Sequence, residues 1–404
     1  MRMQIMVQNR MRRVKNAMVG DRRKFLCLAA VAATESIDMA GEGSAEAATT
    51  PVVPPRSAHL ATSAIAGPKD IPGNMVCGNA GGLLAGFWQT SSYGVDGFLW
   101  RAGTIRHLPG NSRPIAMSQA GTVVGEITGR YVNQAFRWSR GAHTALPYLG
   151  GQDQLGGYMS IAAAVSFLGL VVGCSTTDNG EQHACLWSGS VSRDLGTLGG
   201  PRSSAAAVND LGQVVGTSLT STGTSRGFVW SDGRMRDVGT LGGGWSNAIG
   251  VNNVGHVVGN SETSDGYAHA FWWNKGKITD LGPLDGDQHS EAVAVNSSGQ
   301  VLVRSYGERV RGFLWANGRR TEILGIEAGS VDPVGLNDDG VVCGTVGLPN
   351  GAGHAFRWQR RVLTDLGTLG GPGSAAHAVT ATGIVLGEAQ EVAALISRPV
   401  FWAP

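Results

Sequence analysis

The chain has 404 residues, 62 of them glycine, and 32 Lys and Arg against 30 Asp and Glu give it a formal charge of +2. Glycine at about twice its usual share of roughly 7% excludes a helical bundle, because each interior glycine costs a helix about 1 kcal/mol. No run approaches the roughly eighteen apolar residues of a membrane span.

The first 24 residues hold eight Lys and Arg against one acid, Asp21. An apolar stretch, Phe25 to Ala33, and a small-x-small site, Ala45-Glu46-Ala47, follow. That order describes an export signal over residues 1–48, with a disordered basic tail as the alternative. Arg22-Arg23-Lys24-Phe25-Leu26 resembles the twin-arginine core and departs from it at Asp21 and Cys27. Met18 is an alternative start. Residues 1–48 sum to +3, which leaves residues 49–404 at −1. The basic balance therefore belongs to the leader. A near-neutral body without a basic stripe argues against a nucleic-acid partner, whose binding rests on phosphate neutralisation. The implied place of work is periplasmic or extracellular.

Residues 49–72 are a Pro-, Ala- and Ser-rich linker, and residues 73–404 are a repeat. Two landmarks recur: N-x-x-G-x-V-V-G, spelled by Asn209, Gly212, Val214, Val215 and Gly216, and F-x-W, spelled by Phe228 and Trp230. The tryptophan falls at Trp100, Trp138, Trp187, Trp230, Trp273, Trp315, Trp358 and Trp402, at spacings of 38 to 49 residues. That period suits a four-stranded propeller blade. Each unit has four short apolar runs, A (Ala205 to Val208), B (Gln213 to Thr217), C (Gly227 to Trp230) and D (Met235 to Val238), all too short for helices. Asn209 to Gly212 and Ser231 to Gly233 are turns joining antiparallel neighbours. The expectation is an all-β propeller of eight blades, seven being the alternative. The last copy ends just past strand C at Trp402, so a strand near Ala58 to Ser63 is expected to complete it and cover the edge.

His269-Ala270-Phe271 and His354-Ala355-Phe356, each with Trp two residues later, together with Asp365-Leu366-Gly367-Thr368-Leu369-Gly370-Gly371, resemble the HAF repeat, over about residues 73–402. The resemblance implies an extracellular bacterial repeat protein and supplies no active site.

Strand A, rich in alanine, is expected innermost. The D-to-A links and B-to-C loops then share one rim of the ring, with the Gly-Gly loops (Gly199, Gly200). Six residues before the turn asparagine, serine recurs (Ser112, Ser160, Ser203, Ser246, Ser290, Ser374). The next position varies in polarity, and Asn74, Arg113, Asn247, Glu291 and Asp332 are expected to line a polar ligand pocket at the channel mouth. The functional expectation is a monomeric, non-catalytic scaffold binding a protein, glycan or small ligand. The alternative is an enzyme acting on a carbohydrate or related polymer, with Glu291 and Asp332 as acid and base. No catalytic motif, cofactor or metal site is expected: His183, His269 and His354 fall in non-adjacent blades, and Asp194, Asp237, Asp280 and Asp365 read as strand-end hydrogen-bonders. Cys174 and Cys185 bracket one loop on strands expected to pair, and a disulfide between them is possible where their Cα atoms come within about 7 Å.

Overall fold

The N-x-x-G landmark folds as a turn, and the same turn forms in blades 2, 3 and 8, where Ser118, Ser166 and Thr380 replace the asparagine. In the fourth, the Asn209 side-chain oxygen accepts the Leu211 and Gln213 N–H groups at 3.1 and 2.9 Å, and Gly212 takes a φ of +78° that L side chains avoid. The computed structural model describes residues 61–68, 71–91, 94–129, 132–151, 157–392 and 396–404, so the export signal lies outside the described residues. Among them, 32 strands form eight four-stranded antiparallel units. Blades 1 to 7 span residues 73–107, 112–145, 158–194, 199–237, 242–280, 289–323 and 331–365. Short parallel bridges, Tyr158 to Val132 and Gln182 to Arg202, join blades 2, 3 and 4 into a continuous sheet.

Blade 8 takes three strands from residues 370–403 and its fourth from Ala61–Ala64. Ala61 pairs with Ala403 and Ala64 with Val400. The closing strand was expected from the missing run after Trp402, and it lies slightly later than Ala58 to Ser63. Strand A of each blade packs on strand A of the next, from blade 1 round to blade 8 and back. The ring is closed and strand A is its inner wall.

Cores lie between blades. Phe228 and Trp230 of blade 4 pack with Val172 and Ala184 of blade 3, while Val229 points the other way, toward Val257 and Phe271 of blade 5. Met75, Trp88 and Phe98 of blade 1 meet Leu386 of blade 8, so the seam where the ring closes is packed like the other interfaces. Each buried tryptophan removes about 150–250 Å² from water, an upper estimate of roughly 4–6 kcal/mol. The last glycine of V-V-G is steric: a Cβ on Gly216 would stand 2.1 Å from the Ser204 carbonyl oxygen.

One boundary differs from expectation. The Gly-Gly pairs are not loops. Gly199 opens a ten-residue strand A, Gly199–Val208, and pairs with Thr220 across an irregular register, because long B strands offer their ladder groups beyond the body of the blade.

Connection lengths separate the two faces. Every A-to-B connection is five residues, and every C-to-D connection in blades 1 to 7 is two. On the opposite face the D-to-A links run from four to twelve residues and the B-to-C loops from three to five.

Candidate functional site

Asn74, Arg113, Asn247, Glu291 and Asp332 all sit on strand A, in blades 1, 2, 5, 6 and 7. Each faces the residue that follows the V-V-G glycine on strand B, or Val303 in its place in blade 6: Phe87, Glu126, Asn260, Arg304 and Thr345 respectively. Directly opposed side chains share one face of a sheet, and this face looks at the inner strand of the following blade. The five positions are therefore parts of a polar girdle between blades, spread round the ring.

Blades 6 and 7 hold its most charged part. Arg304, 5% exposed, places Nε 2.5 Å from Asp332 Oδ1 and a terminal nitrogen 3.8 Å from Glu291 Oε2. The Asp332 contact is an ion pair more than an aligned hydrogen bond. Tyr306 donates its hydroxyl to Glu291 Oε2 at 2.6 Å. Burial works against the guanidinium's charge, but Asp332, Tyr306 and Glu291 outweigh it and raise its pKa. The two carboxylates nominated for acid and base work thus converge on one buried arginine.

The other members are paired too. Arg113 lies 3.8 Å from Glu126 Oε1 and 4.9 Å above the Phe87 ring of blade 1. Burial pushes the Glu126 carboxyl up, opposed by Arg113. Asn247 accepts the Asn260 N–H, and Asn260 in turn accepts the Ala292 N–H of blade 6 at 2.8 Å. At the seam, Asn74, with its amide turned to donate, reaches Glu388 Oε2 of blade 8. Burial raises Glu388 to about 7. His377, whose Nε2 stands 4.0 Å from Glu388 Oε1, is lowered by burial to about 4. Both groups are neutral in mildly acidic solution.

A cavity of about 300 Å³ opens on the other mouth of the channel, among the A-to-B turns. Ser118, Ser166, Asn209, Asn252 and Asn296 from successive blades 2 to 6 line it, with Asp338 of blade 7. Sequence reading placed the mouth of interest on the loop-bearing face and missed this one. It also missed what closes the turns against each other. Asn209 Nδ2 donates to Asn252 O at 2.9 Å, Asn252 to Asn296 O at 2.9 Å, Asn296 to Asn337 O at 3.1 Å and Asn337 to Thr380 O at 3.0 Å. The signal was visible, since a turn alone needs no asparagine amide.

The recurring histidines and aspartates form one device. His183, His269 and His354 on strand C bind Asp194, Asp280 and Asp365 on strand D at 2.8 to 2.9 Å. Asp194 then accepts the Gly196 N–H at 2.7 Å, which fixes the link to the next blade. Burial opposes the Asp194 charge, but hydrogen bonds from His183 and Gly196 leave its pKa low, and the Asp194 bond raises that of His183. In blade 4 the same place is held by Arg226 and Asp237, 3.6 Å apart. The recurring serines pin blade to blade: Ser203 Oγ accepts the Ala184 N–H of blade 3 at 2.8 Å and donates to Gly196 O at 2.6 Å.

The candidate disulfide is corrected. Gly173 pairs with Cys185 and Cys174 with Ala184, so the two cysteines are one register step apart and point to opposite faces. Cys174 packs with Ile161 and Cys185 with Val124 and Trp187, and neither is in a disulfide. No group of three or more His, Cys, Asp or Glu is arranged to hold a metal among the described residues.

No protein-family model and no curated protein matches the chain. Solved structures do. The β-propeller domain of the trilobed protease from Pyrococcus furiosus superposes with a TM-score of 0.52 at 12% identity, over 75% of this chain and 98% of that one. That likeness shows the fold: the chain is a β-propeller. An open velcro topology is given for that domain, whereas here the strand Ala61–Ala64 closes blade 8. Acylaminoacyl peptidase from Pyrococcus horikoshii aligns at 13% identity and a TM-score of 0.48, over 74% of this chain and 53% of that one. A putative TolB from Agrobacterium tumefaciens aligns at 12% identity and a TM-score of 0.38, over 54% of this chain and 83% of that one.

Proposed function

We propose that this propeller is an exported, HAF-repeat-like protein that works as a non-catalytic binding scaffold, taking its ligand on the face of variable loops. The observation carrying this reading is the contrast in connection length between the two faces. Fixed turns on one side and links of four to twelve residues on the other are what a rigid frame presenting adaptable contacts requires. The ligand class is a partner protein, a glycan or a small molecule. Export is supported by the basic, then apolar, then small-residue order of residues 1–48.

The test is a glycan and protein binding screen on the secreted chain, repeated after loop exchange. Replacing residues 281–288 with the four-residue link 238–241, and residues 177–181 with 221–224, is expected to abolish binding while leaving the fold intact. Binding that survives both exchanges refutes the reading. For export, Arg22→Lys with Arg23→Lys is expected to retain the chain in the cytoplasm, and unchanged secretion refutes the twin-arginine route.

A further inference from the structure

The topology sorts charge as well as loop length. In blades 1 to 7, counting each C-to-D turn with its two flanking residues, the tips carry eight cations and one acid, Asp232. The A-to-B turns of the same face add three acids, Asp210, Asp338 and Asp339, and no cation. On the other face, the described loop residues hold seven acids and a single cation, Arg309. A body that sums to −1 is thus a disc with one basic and one acidic face. Two of the four acids on the basic face already serve inside the protein: Asp210 accepts the Phe167 N–H and the Asn253 amide, and Asp338 accepts the Ser297 N–H.

Turn geometry does not ask for these cations. Arg140, Lys275 and Arg360 occupy the first position of a two-residue hairpin turn with φ near +50°, and Arg361 follows at +68°. Such positions favour Asn, Asp or Gly, and a side chain there costs about 1–2 kcal/mol. The basic face is apolar as well. Phe167 is 56% exposed, Leu168 71%, Leu211 73% and Val254 63%, all at the tips of A-to-B turns in the adjacent blades 3, 4 and 5. With Val191 and Val362 they are six of the ten large hydrophobics exposed among the described residues.

We infer that this face is a docking surface for an anionic lipid bilayer, with the basic tips at the headgroups and the apolar turn tips of blades 3 to 5 in the interfacial layer. Cations alone would suit any polyanion. Protruding aliphatic and Phe side chains within the same plane match a surface that is charged outside and apolar beneath, and have no counterpart on a nucleic acid or acidic polysaccharide. Docked this way, the variable, acidic face points away from the membrane. The inference stands apart from the ligand reading and fails separately.

The test is co-sedimentation of the full chain with vesicles of phosphatidylcholine alone and of phosphatidylcholine with about 30% phosphatidylglycerol. Binding is expected only to the anionic vesicles and is expected to fall as salt rises. A combined Arg140→Asn, Lys275→Asn, Arg360→Asn and Arg361→Gly variant removes four cations while giving each turn its preferred residues. It should be at least as stable as the parent and bind nearly three orders of magnitude more weakly, since each of the four cations near such a surface contributes roughly fivefold. Leu168→Asp with Leu211→Asp should weaken binding about tenfold or more, and Asp265→Lys on the opposite face should leave it unchanged. Equal binding to both vesicle types, no binding to anionic vesicles, or undiminished binding by the four-site variant overturns the inference. So does binding of heparin or duplex DNA tighter than vesicles and lost in the same variant, which would assign the face to a soluble polyanion.

Discussion

Removing Asp332 tests whether the polar girdle holds blades 6 and 7 together. Asp332→Ala leaves Arg304, 5% exposed, without its 2.5 Å partner and with only Glu291 at 3.8 Å. Breaking a fully buried ion pair from one side costs about 3–5 kcal/mol. Asp332 is about one-third exposed, so water enters where the carboxylate stood, and the loss should be about 2–3 kcal/mol. Asp265→Ala, an exposed site on the same chain, should stay within about 0.5 kcal/mol. Adding Arg304→Met removes the stranded charge, so the double variant should recover at least about 1 kcal/mol relative to Asp332→Ala alone. Equilibrium urea unfolding at neutral pH reads all four species, provided the slopes agree. If Asp332→Ala unfolds together with Asp265→Ala and the second substitution recovers nothing, the girdle is not an inter-blade tie.

Three further outcomes follow from the same interfaces. Glu388, raised by burial to about 7, favours the folded state while protonated, so its contribution is present below the ordinary carboxyl range and is lost as pH rises through 7. His377, lowered to about 4, acts oppositely: its contribution is present above the ordinary histidine range and is lost as pH falls toward 4. Thermal unfolding across pH should show Glu388→Gln flattening the alkaline loss and His377→Gln the acid loss, and unchanged profiles refute the seam assignment. Ser203→Ala strips the acceptor from the Ala184 N–H and should cost about 1–3 kcal/mol in urea unfolding, whereas a cost under about 0.5 kcal/mol would show the pin is dispensable. Because Cys174 and Cys185 face opposite ways, the mass of the unreduced chain alkylated under denaturing conditions should match that of the reduced and alkylated chain, and an unreduced chain lighter by two alkyl groups refutes the register.

The eight blades were readable because their landmarks are steric and therefore repeat. Gly216 must be glycine against the Ser204 carbonyl, and Gly212 must reach a positive φ, so both recur whatever the protein does, with Val303 of blade 6 the exception to the first. The closing strand was readable from a deficit, the missing run after Trp402. The girdle was half readable. Variation at Asn74, Arg113, Asn247, Glu291 and Asp332 was noticed, but its partner column on strand B was not. Divergence there reads from sequence as a ligand's choice; in blades 6 and 7, Arg304 with Glu291 and Asp332 shows the side chains also pairing with each other. The disulfide failed on parity: two cysteines flanking a loop share a face only at matching register positions, and register depends on loop length by a single residue.

Charge was the least legible property, for a reason that belongs to the architecture. A sum over the body treats each residue as if its neighbours in sequence were its neighbours in space. In this ring they are not, because antiparallel strands carry successive turns to alternate faces. Arg360 and Arg361 lie about twenty residues from Asp338 and Asp339 along the chain, yet share their face, while Asp365 only four residues on begins the link on the other. Seven repetitions of that alternation turn a near-neutral sequence into a disc with opposed faces. A propeller's partners are therefore better argued from its turns sorted by parity than from its net charge, and here that sorting separates a uniform, basic, apolar-tipped face from a variable, acidic one.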